Sequence, residues 1–271
     1  MSLPTPSPQS TAVVTGASSG IGAAIARELA SRGHQVVLVA RSAGKLEDLA
    51  IELHGKGIRA DVLPADLSDR AERASLLGRV EKLGLTPEIL INNAGLSTVG
   101  PVSKADPAKE LNMVEVDVAA VVDLTTRFLP GMVGRKRGAI LNVASTAAFQ
   151  PLPGQAGYGA CKAFVLSYTQ SLAGELRGTG VSITALCPGP VDTPFVETAG
   201  FDRGDAEASV PKFMWESVES VAKTAVDGMA RGRMVAIPGV ANRVVAGFAQ
   251  VTPRRLLVPL VARNHPGLKH N

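Results

Sequence analysis

The sequence predicts an α/β fold, a doubly wound parallel sheet of seven strands with helices on both faces. Three observations lead there. Short apolar or β-branched runs alternate along the whole chain with segments whose apolar residues recur at helical spacing. Several of those runs are continuously apolar, as strands covered on both faces are. The first run also leads straight into a glycine-rich turn, Thr15-Gly16-Ala17-Ser18-Ser19-Gly20-Ile21-Gly22, ahead of a helical pattern.

Residues 11–15 are rich in β-branched side chains and end at that turn, and Ile21, Ile25 and Leu29 then mark a helix over 21–32. Residues 36–40 form an uninterrupted apolar strand, followed by a helix over 42–56 that Gly57 closes. A third strand is expected at 58–63, a helix at 69–83, and a fourth strand at 89–91 running into Asn92-Asn93-Ala94-Gly95. The spacing of Leu111, Val114, Val118, Val121 and Phe128 predicts one long helix over 107–132. Strands at 139–143, 181–186 and 234–237, with helices at 157–177 and 217–231, complete the alternation. Ligands of such sheets bind beyond the carboxyl ends of the strands, where the strand order switches. Gly16, Asn93, Ser145 and Pro188 all follow strand ends, so one rim should gather them.

With 271 residues and 45% hydrophobic content, the chain can bury one large core, and a single domain over 11–239 is expected. Residues 1–10 hold three prolines and no charged or long apolar run; they read as a loose tail rather than a signal peptide or membrane span. Aromatic residues make up only 4%, which disfavours a nucleic-acid binder built on stacking. Two cysteines, Cys161 and Cys187, and four scattered histidines make neither a disulfide framework nor a zinc motif, so a metal-free cytoplasmic protein is expected. Cys161 reads as a small buried residue on a packed helix rather than a nucleophile. Charge is uneven: no acidic residue follows Asp227, whereas seven of the 28 basic residues do, including Arg243, Arg254, Arg255 and Arg263.

Tyr158 and Lys162 stand four residues apart and share a helix face, with Ser145 thirteen residues before the tyrosine. A phenol with a pKa of about 10 is a poor acid or base at neutral pH, and a cation beside it favours the phenolate. Hydride-transfer chemistry follows from that pair together with the glycine turn. Gly16, Gly20 and Gly22 allow a tight turn, close approach to a pyrophosphate and close helix packing, while the helix amides face the anion. An NAD-binding fold would carry a carboxylate at the end of the second strand, but this chain has Ala40-Arg41. Arg41, helped by Ser18 and Ser42, is suited to a 2′-phosphate, which predicts NADP(H) rather than NAD(H). The bland alternative makes Arg41 a solvated residue at a helix start.

These motifs, with Ala65-Asp66-Leu67 and Pro188-Gly189-Pro190-Val191-Asp192-Thr193, resemble the single-domain branch of the short-chain dehydrogenase/reductase family over roughly residues 10–240. The resemblance implies a Rossmann-like sheet and an NADP(H)-dependent enzyme that interconverts a ketone and a secondary alcohol. Tyr158 would be the acid/base, Ser145 would polarise the substrate oxygen, and Lys162 would hold the nicotinamide ribose and lower the tyrosine pKa. Ser18, Ser19 and Ile21 would belong to the phosphate turn, Asp66 and Leu67 would flank adenine, and Asn93, Ala94 and Gly95 would border the cleft. Pro188, Gly189, Val191 and Thr193 would line the nicotinamide. Members of the family commonly carry asparagine where this chain has Asp117. The favoured expectation is that only the backbone carbonyl of Asp117 matters; the alternative is a buried carboxylate beside Lys162. A homodimer or homotetramer is implied as well.

Phe195, Phe201, Phe213, Met214 and Trp215 suggest a lid over a hydrophobic substrate, although they could equally anchor the lid to the core. Residues 240–271 form a basic, apolar extension, expected to pack on its own domain or a partner subunit, with peripheral contact with an anionic membrane, or with a phosphate-bearing carrier such as an acyl thioester of coenzyme A, as the lesser options. Two other function classes compete: a dinucleotide-binding regulatory protein without turnover, and an epimerase or dehydratase of nucleotide sugars.

Overall fold

The computed structural model describes residues 3–200, 204 and 210–268. Its sheet has seven strands: β1 (Ser10–Thr15), β2 (Gln35–Val39), β3 (Ala60–Val62), β4 (Thr86–Asn92), β5 (Gly138–Val143), β6 (Val181–Leu186) and β7 (Val235–Ala236). They lie in the order β3-β2-β1-β4-β5-β6-β7, all parallel, so the order reverses between β1 and β4. α1 (Gly20–Ser31), α2 (Ala43–His54) and α3 (Arg70–Lys82) follow the first three strands. Between β4 and β5 run α4 (Pro107–Val114), a π turn (Glu115–Ala119) and α5 (Ala120–Gly134). Later come α6 (Ala156–Glu175), the short α7 (Phe195–Thr198), α8 (Val218–Ala230), α9 (Val240–Val251) and α10 (Arg254–Asn264).

Two apolar layers sandwich the sheet. Ile25, Leu29, Leu46, Val226 and Met229 pack on one face, while Leu76, Leu124, Phe128 and Leu172 pack on the other. Local chemistry starts the helices: Asp69 accepts from the amides of Ala71 and Glu72, and Asp106 caps α4 with Pro107 at its first turn.

A buried polar ladder ties the sheet to α6. Asn92 donates to Asn142 Oδ1 at 2.8 Å and to Thr125 Oγ1, and Asn142 donates to Thr169 Oγ1 at 2.9 Å. Such a network rewards only one alignment, because each member left without its partner would cost about 1–3 kcal/mol. The alignment sets α6, and Tyr158 with it, against the end of β5.

Several boundaries differ from expectation, each for a local reason. Residues 4–10 are held rather than loose: Pro4 is buried, Gln35 donates to the carbonyls of Ser7 and Pro8, and the Thr86 amide donates to the Gln9 carbonyl. The third strand is only Ala60–Val62, since Ile58 closes α2 by donating to the Leu53 carbonyl. The expected single helix over 107–132 is divided by the π turn, which makes Val116 and Asp117 both face inward.

Gly22 lies buried beneath the glycine turn, where an added Cβ would collide with the Gly16 carbonyl oxygen and with Asn93 Nδ2. Gly22→Ala should therefore push α1 off the turn and destabilise the fold by about 1–3 kcal/mol. A lowered thermal midpoint, with weakened dinucleotide binding, is the expected outcome; an unchanged midpoint would mean that α1 can shift at no cost.

Candidate active site

One cleft of about 850 Å³ opens along the carboxyl ends of the strands. Of the expected catalytic and cofactor residues, Gly22 and Asp117 stand off its wall, Gly22 beneath the turn and Asp117 behind Lys162; of the expected lid residues, Phe213 and Met214 do not line it. Strand order distributes the rest. Arg41 follows β2 on one side of the switch point, while Ser145 and Pro188 follow β5 and β6 on the other.

Gly16 (φ 65°) and Gly20 (φ 52°) take the left-handed backbone that glycine tolerates. A Cβ on Gly16 would lie 2.7 Å from Asn93 Nδ2 and 2.9 Å from Ala94 Cα. The turn is clamped across the switch point: Thr15 Oγ1 accepts from the amides of Asn93 and Ala94, and Asn93 Nδ2 donates to the Thr15 carbonyl at 2.9 Å. Asn93 thus acts on the cleft partly by holding the turn in shape. The bare turn, its amides and the cationic side chains nearby fit a dinucleotide. Exposed Arg41 and Ser42 line the cleft with Ser18 and with Lys45, a residue the sequence reading missed although it follows Arg41 by one turn. Asp66, the one carboxylate among the described wall residues, accepts from the amide and hydroxyl of Ser68. Those bonds, and the Arg41 charge, hold its pKa below the usual carboxylate value. Arg73, a buried residue of α3, donates to the Leu67 carbonyl at 2.6 Å and pairs with Glu115 and Asp123, tying the loop after β3 to the π turn and α5.

Ser145 caps a 3-10 turn (Thr146–Phe149) by accepting from the Ala147 amide at 3.1 Å. Its hydroxyl also makes a long 3.5 Å contact with the Pro188 carbonyl and a hydrogen bond with Tyr158, which sets the two hydroxyls side by side on the cleft wall. Lys162 Nζ stands 5.6 Å from the centre of the Tyr158 ring, donates to the Val143 carbonyl at 3.2 Å and pairs with Asp117 Oδ2 at 2.9 Å. The other oxygen of Asp117 accepts from the Leu96 amide at 2.6 Å.

The carboxylate of Asp117 is thus buried against Lys162, the arrangement that the alternative reading expected. The physical reason is the π turn: its wider winding turns residue 117 into the interior, where a side chain has no solvent to reach. Burial raises the Asp117 pKa against the opposing pull of Lys162. Burial alone would lower that of Lys162, but Asp117 and Tyr158 outweigh it and keep the ammonium charged. Tyr158 is raised by burial; Lys162 and a hydrogen bond with Ser145 pull it down, and the Asp117 charge pushes it up again. The expected lowering by Lys162 is present but does not win, so the phenol holds its proton at neutral pH. Cys161 is pushed up to about 11, chiefly by burial, and is a packed thiol.

The far wall comes from segments without a motif. The Phe195 ring lies 6.1 Å from that of Tyr158, with Leu152, Val210 and Trp215 nearby on the wall. Phe201 lies outside the described residues. The extension supplies Leu260, Val261, His265 and Pro266. Buried His265 accepts from the Gly267 amide through Nδ1, so Nε2 carries the proton toward Gln155 Oε1 at 3.2 Å, and Gln155 donates onward to Ser97 Oγ at 2.8 Å. Burial lowers the His265 pKa, in keeping with this neutral ring. Gln155 and His265 are 110 residues apart, and no periodicity could have paired them.

The model of the short chain dehydrogenase family matches residues 10–203. Among solved structures, a short-chain dehydrogenase from Sphingobium yanoikuyae in complex with NADPH is similar with a TM-score of 0.79 at 33% identity, over 92% of this chain and 95% of that one. A short-chain dehydrogenase/reductase from Burkholderia phymatum in complex with NAD gives 0.80 at 25% identity, over 95% and 96%. A bulky-bulky ketone specific alcohol dehydrogenase from Comamonas testosteroni gives 0.74 at 28%, over 92% and 96%.

The Asp117 carboxylate can be tested through its sign. Its negative charge disfavours the Tyr158 phenolate directly but also keeps Lys162 charged, so Asp117→Asn should displace the rising limb of alcohol oxidation, toward lower pH where the ammonium persists and toward higher pH where it loses its proton. Superimposable pH–rate profiles for the two proteins would remove the carboxylate from the proton chemistry.

Proposed function

The chain belongs to the short-chain dehydrogenase family, and on that premise we propose that it interconverts a hydrophobic ketone and its secondary alcohol with NADP(H). At the level of the family it is an oxidoreductase with an NAD(P) cofactor. The observation that carries the finer reading is the meeting of Ser145, Tyr158 and Lys162 in a cleft that also holds Arg41 with Lys45 and an apolar wall.

A bound reduced nicotinamide would supply the hydride. The protein's own groups manage the charge that then develops on oxygen. Ser145 Oγ donates to the carbonyl oxygen and Tyr158 gives up its phenolic proton to it, both hydroxyls lining the cleft next to each other. Burial favours the protonated phenol, the form that donates in the direction of reduction. Lys162, pinned between the Val143 carbonyl and Asp117, stays charged and offsets part of the cost of the phenolate left behind. Alcohol oxidation runs the same transfers in reverse and gains from higher pH.

Arg41 and Lys45, with no unengaged carboxylate on the described wall, support a 2′-phosphate. Phe195, Trp215, Leu152 and Leu260 support an apolar substrate, and the Comamonas testosteroni structure is that of an enzyme specific for bulky ketones.

Arg41→Ala should weaken NADPH binding relative to NADH by roughly tenfold to a hundredfold, the loss of a charge-assisted hydrogen bond; titration of both dinucleotides measures it, and an unchanged ratio would return Arg41 to a solvated helix start. The reaction itself is tested by NADPH oxidation over bulky apolar ketones and short polar sugars, with Tyr158→Phe as the control. Turnover on the ketones is expected, falling by roughly 10²–10⁴ in the variant with NADPH affinity kept. Preference for the sugars would end the hydrophobic reading, and full turnover by Tyr158→Phe would end the role of the phenol.

A further inference from the structure

The helices α9 and α10 lie beyond the residues that the family model matches, and they show two apolar sides. The inner side of α9 is small and docked: Ala246 and Ala249 are buried, and Asn242 donates to the carbonyls of Met214 and Pro238. The outer side carries Val240, Val244, Phe248 and Val251, recurring at three- and four-residue spacing, with Phe248 67% and Val251 79% exposed. A surface helix normally turns polar residues to solvent. The stripe continues on α10 through Leu256 and Leu260, exposed by 61% and 59%. Leu260 also lines the cleft, so the exposed stripe and the substrate wall meet at one residue.

Charge indicates what covers this surface. Arg243, Arg255 and Arg263 are exposed on the same two helices, Lys212 is exposed on the adjoining turn, and no acidic residue follows Asp227 in the sequence. A second copy related by a two-fold axis would bring arginines against arginines with no carboxylate in the segment to meet them. An anionic lipid surface meets both features: apolar side chains enter the acyl boundary while the arginines stay among the headgroups. Among the described residues no helix is long and apolar enough to cross a membrane, so the segment would lie on the surface.

We propose that α9 and α10 form an amphipathic platform that rests on an anionic membrane and turns the mouth of the cleft, at Leu260, toward it. A hydrophobic substrate could then pass between lipid and cleft with little exposure to water. The idea takes its purpose from the substrate class proposed above, but its test does not require turnover.

The test is flotation of the full chain with vesicles of phosphatidylcholine, alone or mixed with phosphatidylserine. The protein should rise with the anionic vesicles only and be released by salt. Phe248→Glu/Val251→Glu should abolish flotation, and Arg255→Gln/Arg263→Gln should reduce partition by roughly thirtyfold. Circular dichroism and turnover of a water-soluble ketone should be unchanged in both. The proposal is overturned if the wild type does not rise with anionic vesicles, or rises equally with neutral ones. It is also overturned if the glutamate pair leaves flotation intact while lowering the mass seen by light scattering, which would make the stripe an interface between copies. Flotation without turnover on any carbonyl would instead count against the proposed reaction and leave the platform standing.

Discussion

A single buried ion pair, Lys162 with Asp117, joins the elements on which the site is built. Its lysine comes from α6, its aspartate from the π turn, and its remaining partners from the end of β5 and the loop after β4, through the Val143 carbonyl and the Leu96 amide. Two charges taken out of water are costly, and removing either partner from such a pair costs about 3–5 kcal/mol. That penalty favours one arrangement: if α6 slid or the π turn relaxed to an α-helix, a charge would be left without its partner in the core. Gly95 fits the same argument, since a Cβ there would come within 3.2 Å of both Asp117 Oδ2 and Lys162 Nζ. The pair also sets the electrostatics around Tyr158. Lys162 favours the phenolate and Asp117 opposes it, and with burial added the balance falls on the protonated side.

The fold was legible because its signals are local. Continuous apolar runs such as Val36 to Val39 and the β-branched residues of β1 can only be strands in a covered sheet, and the glycine turn marks the switch point where β1 meets β4. What the sequence hid depended on distance. The Asn92–Asn142–Thr169 ladder and the clamp from Asn93 to the Gly16 turn join residues from 27 to 77 positions apart, and the burial of Pro4 concerns a proline whose neighbours give no pattern. The π turn was hidden for another reason: the apolar spacing of Leu111, Val114, Val118 and Val121 is nearly the same whether one turn is widened or not. That one extra residue decides where the Asp117 side chain points, which the apolar spacing alone could not show.

The site divides in the same way. Residues that follow strand ends could be placed on one rim from the alternation alone, and the glycine turn, Ser145, Tyr158 and Lys162 line one cleft. The apolar wall could not be placed so, because it is made from loops and from the extension, where neither period nor motif constrains a side chain. Trp215, Val210, Leu260 and His265 become neighbours of the cleft only through packing.

That packing also bears on what the extension is for. A segment that merely covered a hydrophobic core would bury its large side chains and expose its small ones. In α9 the reverse holds: Ala246 and Ala249 face the domain, while Phe248 and the valines face outward. Its hold on the domain is instead directional. Asn242 bonds to the turn before α8, Arg254 donates to the Phe149 carbonyl at 3.1 Å, and the His265 ring fills the space beside Gly154. Hydrogen bonds of this kind fix position with little need for apolar burial. The helices can therefore keep their larger side chains for something outside the domain, and the wall they give to the cleft keeps its shape whether or not that outer face is covered.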